Sequence, residues 1–373
     1  MINFFDVDAK LQIKNNLRKL DRYRKRKMSF LANVMFSLIN NNGQSERQII
    51  EAEEVKEVLI VRINNRVGNM VFLIPFIHQV KHYYPNARIT LLINKPWQED
   101  IFANLGVDAF EYANLSFSSL PQCIETIRRL RQRKFDLCLS PIVSAQSSVM
   151  CSLISARNKV SYSSRYDNAF THTYTFHTAH SHEALNSLSL LPQLHGSVPA
   201  FDVTNSHQLI FTEDECRKGF SSKEKLVSND ALCVAFFRGA RGDKKLTDAD
   251  WCSILRQFER AHPQQISWIE VLGPEISSPL FHDIPVYRSK SLRELACFLR
   301  YTDGFISCDT GPLHLADAAG ARCIGLYTHT DPARYGLLGE SCFQVTELNN
   351  IDACNILRTI ESTKVKVGAV LLT

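Results

Sequence analysis

Hydrophobic and polar positions follow two alternating patterns along most of this chain. Short, continuous apolar runs such as residues 58–63 (VLIVRI) and 232–237 (LCVAFF) predict buried strands. Most runs are followed by a segment with apolar residues three or four positions apart, which predicts an amphipathic helix. A repeated alternation of strand and helix predicts a parallel, doubly wound α/β sheet.

Two such series occur, one in each half of the chain. In the first, strands are predicted at residues 58–63, 89–93, 107–112, 135–139 and 159–162, and helices at 70–84, 123–133, 143–155 and 183–194. In the second, strands are predicted at 232–237, 266–272, 286–287, 304–308 and 322–327, and helices at 248–261, at 291–299 and after Gly311. We therefore predict two Rossmann-like domains, residues 56–203 and 204–373, that face each other across a cleft.

The basic charge of the chain lies in an N-terminal extension, residues 1–55. Residues 10–27 hold nine Lys or Arg and one Asp, a net charge of +8, so the rest of the chain carries 5 − 8 = −3. Apolar residues recur at helical spacing from Ile13 to Leu38, which predicts one or two amphipathic helices. Residues 10–39 are therefore predicted to contact an anionic membrane surface, and a solvated helix packed on the body is the alternative. No nucleic-acid motif accompanies the basic run, so nucleic acid is not an expected partner.

Composition narrows the class and the compartment. The eleven cysteines of the 373-residue chain are scattered with no C-x-x-C pair, which favours reduced thiols in a cytoplasmic protein. No apolar run reaches the roughly 18 residues of a membrane span. Four histidines cluster without the spacing of a zinc motif, so neither a metal nor a cofactor is expected. These are His172, His177, His180 and His182.

The stretch at residues 304–320 carries the clearest chemistry. A predicted strand ends at Cys308, and Asp309, Thr310 and Gly311 form a turn before an apolar helix that closes at Gly320. A glycine at this edge of a parallel sheet lets the backbone approach a ligand, and the start of the helix suits a phosphate. His314, one turn into the helix, would point to the same anion. The alternative is that Asp309 and Thr310 are ordinary helix N-cap residues.

The longer pattern is more specific. Asp309-Thr310-Gly311-x-x-His314, followed by Ala319-Gly320 and by the run YTHTDP at residues 327–332, resembles the donor-site signature of the family 9 glycosyltransferases, the lipopolysaccharide heptosyltransferases. Further matches lie at residues 58–75 and 244–251, so the resemblance covers residues 58–340. It implies the GT-B architecture, with the acceptor on the first domain and the nucleotide sugar on the second. It also implies inverting, metal-independent transfer of heptose from ADP-heptose to a lipopolysaccharide core acceptor, at the cytoplasmic face of the inner membrane.

The resemblance also assigns roles to individual residues. Lys244 would neutralise the leaving diphosphate, although its local sequence also fits a surface lysine, and Asp309 would hold the sugar hydroxyls. Five residues would bind the donor, with the acidic one on the ribose, and two residues of the first glycine turn would face the acceptor. The donor set is Glu275, Thr310, Gly311, His314 and Thr330, and the acceptor set is Arg66 and Gly68.

The sequence departs from the family pattern at two places. Asn69 stands where the family has an aspartate that serves as general base, and Thr328-His329 replaces a pair that contains glycine. An asparagine accepts no proton at neutral pH, and general-base catalysis contributes about 10²- to 10⁴-fold. Another carboxylate, Asp309 or Asp243, could reach the acceptor, positioning alone could suffice, or the protein could bind nucleotide sugar or glycolipid without transfer. An NAD-type oxidoreductase is disfavoured because no G-x-G-x-x-G turn is present.

Overall fold

The chain folds around two parallel sheets of six strands each. The computed structural model describes residues 48–116, 119–176, 181–196, 200–227, 232–262 and 266–370, with side chains up to residue 362. The predicted basic helices of residues 10–39 lie outside these ranges. Within them, no helix combines the length and the apolar character that a bilayer span needs.

The first lobe contains the sheet β3-β2-β1-β4-β5-β6. Its strands are β1 (Glu57–Val61), β2 (Arg88–Ile93), β3 (Ala109–Tyr112), β4 (Phe135–Ser140), β5 (Ala156–Tyr162) and β6 (His172–Tyr174). Its helices are α1 (Val67–Val71), α2 (Ile74–Tyr83), α3 (Glu99–Phe102), α4 (Leu120–Gln132), α5 (Ala145–Leu153), α6 (Glu183–Asn186) and α7 (Leu190–His195). The strand order reverses between β1 and β4, so a crevice forms beyond their carboxyl ends.

The second lobe repeats this design with the sheet β12-β11-β10-β7-β8-β9. Its strands are β7 (Leu232–Phe237), β8 (Ile266–Val271), β9 (Val286–Tyr287), β10 (Gly304–Cys308), β11 (Cys323–Leu326) and β12 (Phe343–Val345). Its helices are α8 (Glu213–Glu224), α9 (Asp248–Ala261), α10 (Leu292–Arg300), α11 (Gly311–Ala318), α12 (Pro332–Tyr335) and α13 (Ala353–Val370). Here the order reverses between β7 and β10, which brings the turns after these two strands together.

Most predicted elements are present, and the differences have local causes. The helix predicted at residues 70–84 is divided into α1 and α2. Leu73 N donates to the carbonyl of Met70, three residues earlier, and Pro75 is one of the first two residues of α2. Six elements were not predicted. These are α3, β6, α8, α12, β12 and α13.

One apolar cluster joins the two lobes. It contains Met70 and Phe76 from the first lobe together with Leu313 and Ala316 from α11 in the second. The apolar face of α11 is therefore buried against the first lobe as well as against its own sheet. This packing fixes the start of α11 relative to the turn after β1.

Candidate functional site

The turn after β10 is held by a backbone hydrogen bond and by the side chain of Ser307. Asp309 N donates to the carbonyl of Leu326 at 3.2 Å, and Thr310 is the extended residue before α11. The Thr310 hydroxyl bonds Ser307 Oγ at 3.0 Å, and no side chain of Thr310 caps the helix. The structure therefore does not support the interpretation of Thr310 as an ordinary capping side chain.

Asp309 is the centre of a charged cluster at this edge. Its Oδ1 accepts a hydrogen bond from His314 Nε2 at 2.9 Å, and its Oδ2 accepts one from Thr330 Oγ1 at 2.7 Å and one from Lys244 Nζ. Lys244 Nζ also lies 3.4 Å from the Asp309 carbonyl oxygen. Four predicted site residues from three separate segments thus meet at one carboxylate.

These contacts determine the protonation of Asp309, whose exposed fraction is 8%. Burial favours the neutral acid, but hydrogen bonds from His314, Lys244 and Thr330 outweigh burial and hold the pKa of Asp309 well below its ordinary value. The carboxylate is therefore ionised at neutral pH and is a weak proton acceptor. In this arrangement Asp309 is poorly suited to replace the missing general base.

Lys244 reaches the cluster from a short turn before α9. Residues Gly242–Lys244 form a 3₁₀ turn, and Gly242 has a φ of 64°, which glycine adopts without strain. Thr247 then begins α9 in a capping box with Asp250. The Lys244 side chain is 32% exposed and ion-paired to Asp309, so it is not a freely solvated surface lysine.

The two predicted glycine turns contact each other across the lobes. A Cβ atom on Gly311 would lie 2.7 Å from Val67 Cβ, and a Cβ on Gly68 would lie 3.0 Å from His314 Cδ2. Only glycine therefore permits this approach at Gly311. The side of the turn that faces Val67 is closed, which differs from the open cleft expected from the sequence.

Aromatic and histidine side chains line the seam beside this contact. The Phe72 ring of the first lobe lies edge-on to His314 at 4.8 Å and to His182 at 5.3 Å between ring centroids. His182 Nε2 lies 3.1 Å from the Gly336 carbonyl oxygen, and His207 borders the same small cavity. Burial lowers the pKa of both His182 and His207. This seam was not predicted, because its residues come from distant segments of the chain.

The acceptor-side residues lie in the loop between β1 and α1. Arg66 is exposed, and its backbone N donates to Asn64 Oδ1 at 2.8 Å. Gln98 fixes the loop by donating from Nε2 to the Asn64 carbonyl at 2.6 Å. Asn69 is half-buried, and within the described residues its side chain makes no hydrogen bond. The amide is thus available to a ligand, although it cannot take up a proton.

Glu275 lies on the same edge of the second sheet, apart from the Asp309 cluster. Its Oε2 would be 2.8 Å from a Cβ on Gly273, and its Oε1 lies against Gly239. These glycines follow β8 and β7, so the carboxylate stands at the carboxyl ends of two strands. The predicted contact between Glu275 and the ribose of the donor is therefore a proposal.

Potential metal ligands are dispersed in the described part of the chain. No group of three or more His, Cys, Asp or Glu side chains is placed to hold a metal ion in those residues. Two of the four clustered histidines, His177 and His180, lie outside the description.

Comparison with known proteins identifies a protein family and a relative that this chain resembles. The family model described as glycosyltransferase family 9 (heptosyltransferase) matches residues 283–361, which include the Asp309 turn. An Escherichia coli (strain K12) protein with the provisional name lipopolysaccharide heptosyltransferase 4 is 24% identical over 325 residues, 83% of each chain.

Solved structures of similar shape agree on the architecture. A family 9 glycosyl transferase from Veillonella parvula DSM 2008 has a TM-score of 0.70 at 17% identity, covering 84% of this chain and 98% of its own. The E. coli heptosyltransferase WaaC with ADP has a TM-score of 0.63 at 17% identity, covering 82% and 99%. Likeness at this identity bears on the fold alone, and it confirms the predicted GT-B architecture.

Proposed function

Because this chain belongs to glycosyltransferase family 9, the heptosyltransferase family, we propose that it transfers heptose from ADP-heptose to a lipopolysaccharide core acceptor. The observation that carries the proposal is the cluster of Lys244, Asp309, His314 and Thr330 beside the start of α11. It offers a cation and a helix amino end to a diphosphate, at the contact with Gly68 of the other lobe. Names of relatives that mention ADP and lipopolysaccharide support the same substrates.

The proposed reaction is a single displacement that inverts the anomeric carbon. An acceptor hydroxyl forms a bond to that carbon while the bond from the carbon to the ADP oxygen breaks. Lys244 would stabilise the charge that develops on the departing diphosphate, an effect often worth several kcal/mol in a closed site. Asp309 holds Lys244 in place until the donor arrives and would then be free to accept a hydrogen bond from a sugar hydroxyl. No step requires a metal ion.

The hydroxyl proton must go to a base, and Asn69 cannot accept it. Asp309 is held ionised with a lowered pKa, which leaves Asp243, exposed and next to Lys244, as the nearest alternative in sequence. Asn69 is also the observation that favours a second function. In that case the protein binds nucleotide sugar or glycolipid through the same cluster without transferring the sugar.

A transfer assay with ADP-heptose and lipopolysaccharide core acceptors tests the two functions. We expect wild type to transfer heptose and Asn69→Asp to be about 10²-fold faster, because the substitution restores a carboxylate base. Asp309→Ala is expected to abolish transfer. ADP-heptose binding by calorimetry without any transfer by wild type, and transfer by Asn69→Asp, would establish the binding function instead.

We also propose that residues 10–39 hold the protein on the anionic inner face of the inner membrane. The net charge of +8 over residues 10–27 supports this placement. Removal of residues 1–50 should lower co-sedimentation with liposomes that contain anionic lipid, and high salt should lower wild-type binding in the same way. Equal binding by the truncated and full-length proteins would refute the placement.

A further inference from the structure

Arg62 is a buried arginine that has no partner among the residues that the structure describes. Its exposed fraction is 5%, and its Nε atom is fully buried with no hydrogen bond. Among the residues that the structure describes, none forms a hydrogen bond or an ion pair with its guanidinium. A buried charge of this kind is strongly unfavourable unless it is paired.

The other buried arginine among the described residues is fully paired. Arg293, 8% exposed, pairs with Glu215 at 2.9 Å from Nη2 and donates from Nη1 to the carbonyls of Asp100 and Ala103. The partly buried Arg238 is paired as well, with Glu270 at 2.6 Å. Since both of these guanidinium groups are paired, the lack of a partner for Arg62 within the described residues is an exception, and an anion from outside the chain would satisfy it.

The position of Arg62 is next to the predicted acceptor turn. Its backbone N donates to the Leu92 carbonyl at 2.9 Å, so it extends β1 by one residue. Side chains alternate along a strand, which places Arg62 on the same face as the buried Ile60. Continuing the register of Val61 with Leu92 sets it beside the apolar Ile93.

Arg62 therefore stands where the strand order reverses in the first lobe, the usual ligand crevice of such a sheet. Burial lowers its pKa to about 10, with no carboxylate acting in the opposite direction, so the guanidinium is charged at neutral pH. Arg66, four residues on, is exposed at the same loop.

We propose that Arg62 binds an oxyanion of the acceptor, a phosphate or a carboxylate group, in the crevice at the carboxyl end of β1. This inference rests on the proposed function and narrows its substrate class. The planar guanidinium fits such groups with two parallel hydrogen bonds. An acceptor that lacks the anion leaves Arg62 unpaired and is rejected, since a site built for a polar partner discriminates strongly against analogues without it.

The first experiment measures stability and needs no activity. Arg62→Met replaces an unpaired charge with an apolar side chain, so in chloride buffer its Tm should equal or exceed that of wild type. Arg293→Met, the paired control, should lower Tm by several degrees. Inorganic phosphate at constant ionic strength should raise the Tm of wild type and of Lys244→Met, in which the donor site is weakened, but not of Arg62→Met. A phosphate response that Arg62→Met retains in full would overturn the proposal.

The second experiment compares acceptors. With a core acceptor that bears phosphate or carboxylate groups, Arg62→Met should raise KM at least tenfold, and Arg62→Lys should recover part of the loss because it keeps the charge. Removing the phosphates enzymatically, or amidating the carboxylates, should raise the wild-type KM for whichever group Arg62 binds and leave the KM of Arg62→Met unchanged. Equal loss with charged and neutral acceptors would indicate a purely structural role and would refute the inference.

The two hypotheses fail in different ways. If wild type transfers no sugar while the phosphate response still depends on Arg62, the proposed function fails and the anion site stands. If transfer occurs and the KM of Arg62→Met matches that of wild type for every acceptor, the anion site fails and the proposed function stands. Calorimetry of ADP binding to wild type and to Arg62→Met confirms that the second lobe is intact in both proteins.

Discussion

At the scale of single residues, Asp309 organises the site because three hydrogen-bonding side chains meet at its carboxylate. Lys244 and Thr330 share one oxygen, His314 occupies the other, and the backbone carbonyl of Asp309 also faces Lys244. The ion pair keeps the lysine positioned in the absence of a diphosphate. The same carboxylate is thus a structural group and a candidate ligand for the sugar.

The low pKa of Asp309 gives a pH-dependent prediction. A carboxyl whose pKa is lower in the folded protein stabilises the fold above its unfolded pKa, near 3.8, and loses that effect as the pH falls through the folded value. Asp309→Asn should therefore lower the free energy of unfolding by about 3 kcal/mol from pH 5 to 8, since it leaves Lys244 unpaired. Urea unfolding should show the difference from wild type shrinking below about pH 4.

Asp243→Asn is the matched control for this experiment. Asp243 is exposed on the turn that carries Lys244, so its replacement should change stability little at any pH. A stability difference between Asp309→Asn and wild type that grows on acidification would contradict the expected sign.

Sequence reasoning identified most of these residues but not their relations. The family resemblance assigned roles to Lys244, Asp309, His314 and Thr330, yet it separated the lysine from the aspartate that now pairs with it. It did not identify Phe72, because ring contacts between distant segments produce no repeating pattern in the sequence. Arg62 left one signal, a charged residue inside the apolar run VLIVRI, although its lack of a partner is visible only in three dimensions.

At the scale of elements, two helices of the second lobe begin with the same chemistry. Thr247 and Asp250 form the capping box of α9, and Thr212 and Glu215 form that of α8. Each threonine hydroxyl accepts a hydrogen bond from the backbone N three residues later. The first box borders the Lys244 turn, and the second borders no predicted site residue.

This pair gives a matched test of positioning. Thr247→Ala and Thr212→Ala should each lower the free energy of unfolding by about 1 kcal/mol, because each removes one cap. Only Thr247→Ala should also raise the KM for ADP-heptose several-fold, since the turn that presents Lys244 precedes α9 directly. Equal kinetics for the two variants would show that the Lys244 turn holds its shape without the cap.

Elements with strong periodicity were predictable, and those with weak patterns were not. Strands β7 and β10 and helix α9 have the predicted bounds, since continuous apolar runs and a clear cap define them. Helix α8 was not predicted because only Gly219 and Lys223 along it are buried, which gives no apolar stripe. The capping box of α8 was the feature of the sequence that could have predicted this helix. Strand β6 is too short, at three residues, for a period to show.

At the scale of the whole molecule, the lobes meet through a contact that tolerates no added atoms at Gly311. Gly311→Ala should lower the free energy of unfolding by about 1–3 kcal/mol, because the new Cβ would lie 2.7 Å from Val67 Cβ. Val67→Gly removes the opposing atom, so the double variant should lose less than the sum of the single losses. A double-mutant cycle by urea unfolding measures this coupling, and strict additivity would show that the lobes relax apart freely.

The alternation of patterns along the sequence correctly predicted two doubly wound sheets, because that inference needs only local periodicity. It predicted a cleft between them but not how far the cleft closes. That distance depends on side chains such as Val67 and Phe72, which meet the second lobe from far away in the chain. Closure is thus a property of tertiary packing that no window of sequence contains.

The apolar cluster shared by Met70, Phe76, Leu313 and Ala316 has a practical meaning for dissecting the protein. Each lobe, expressed alone, would expose to water the apolar surface that normally packs against the other lobe. Separate fragments would therefore tend to aggregate unless both are produced in the same cell. Studies of nucleotide recognition by this protein are best carried out on the intact polypeptide.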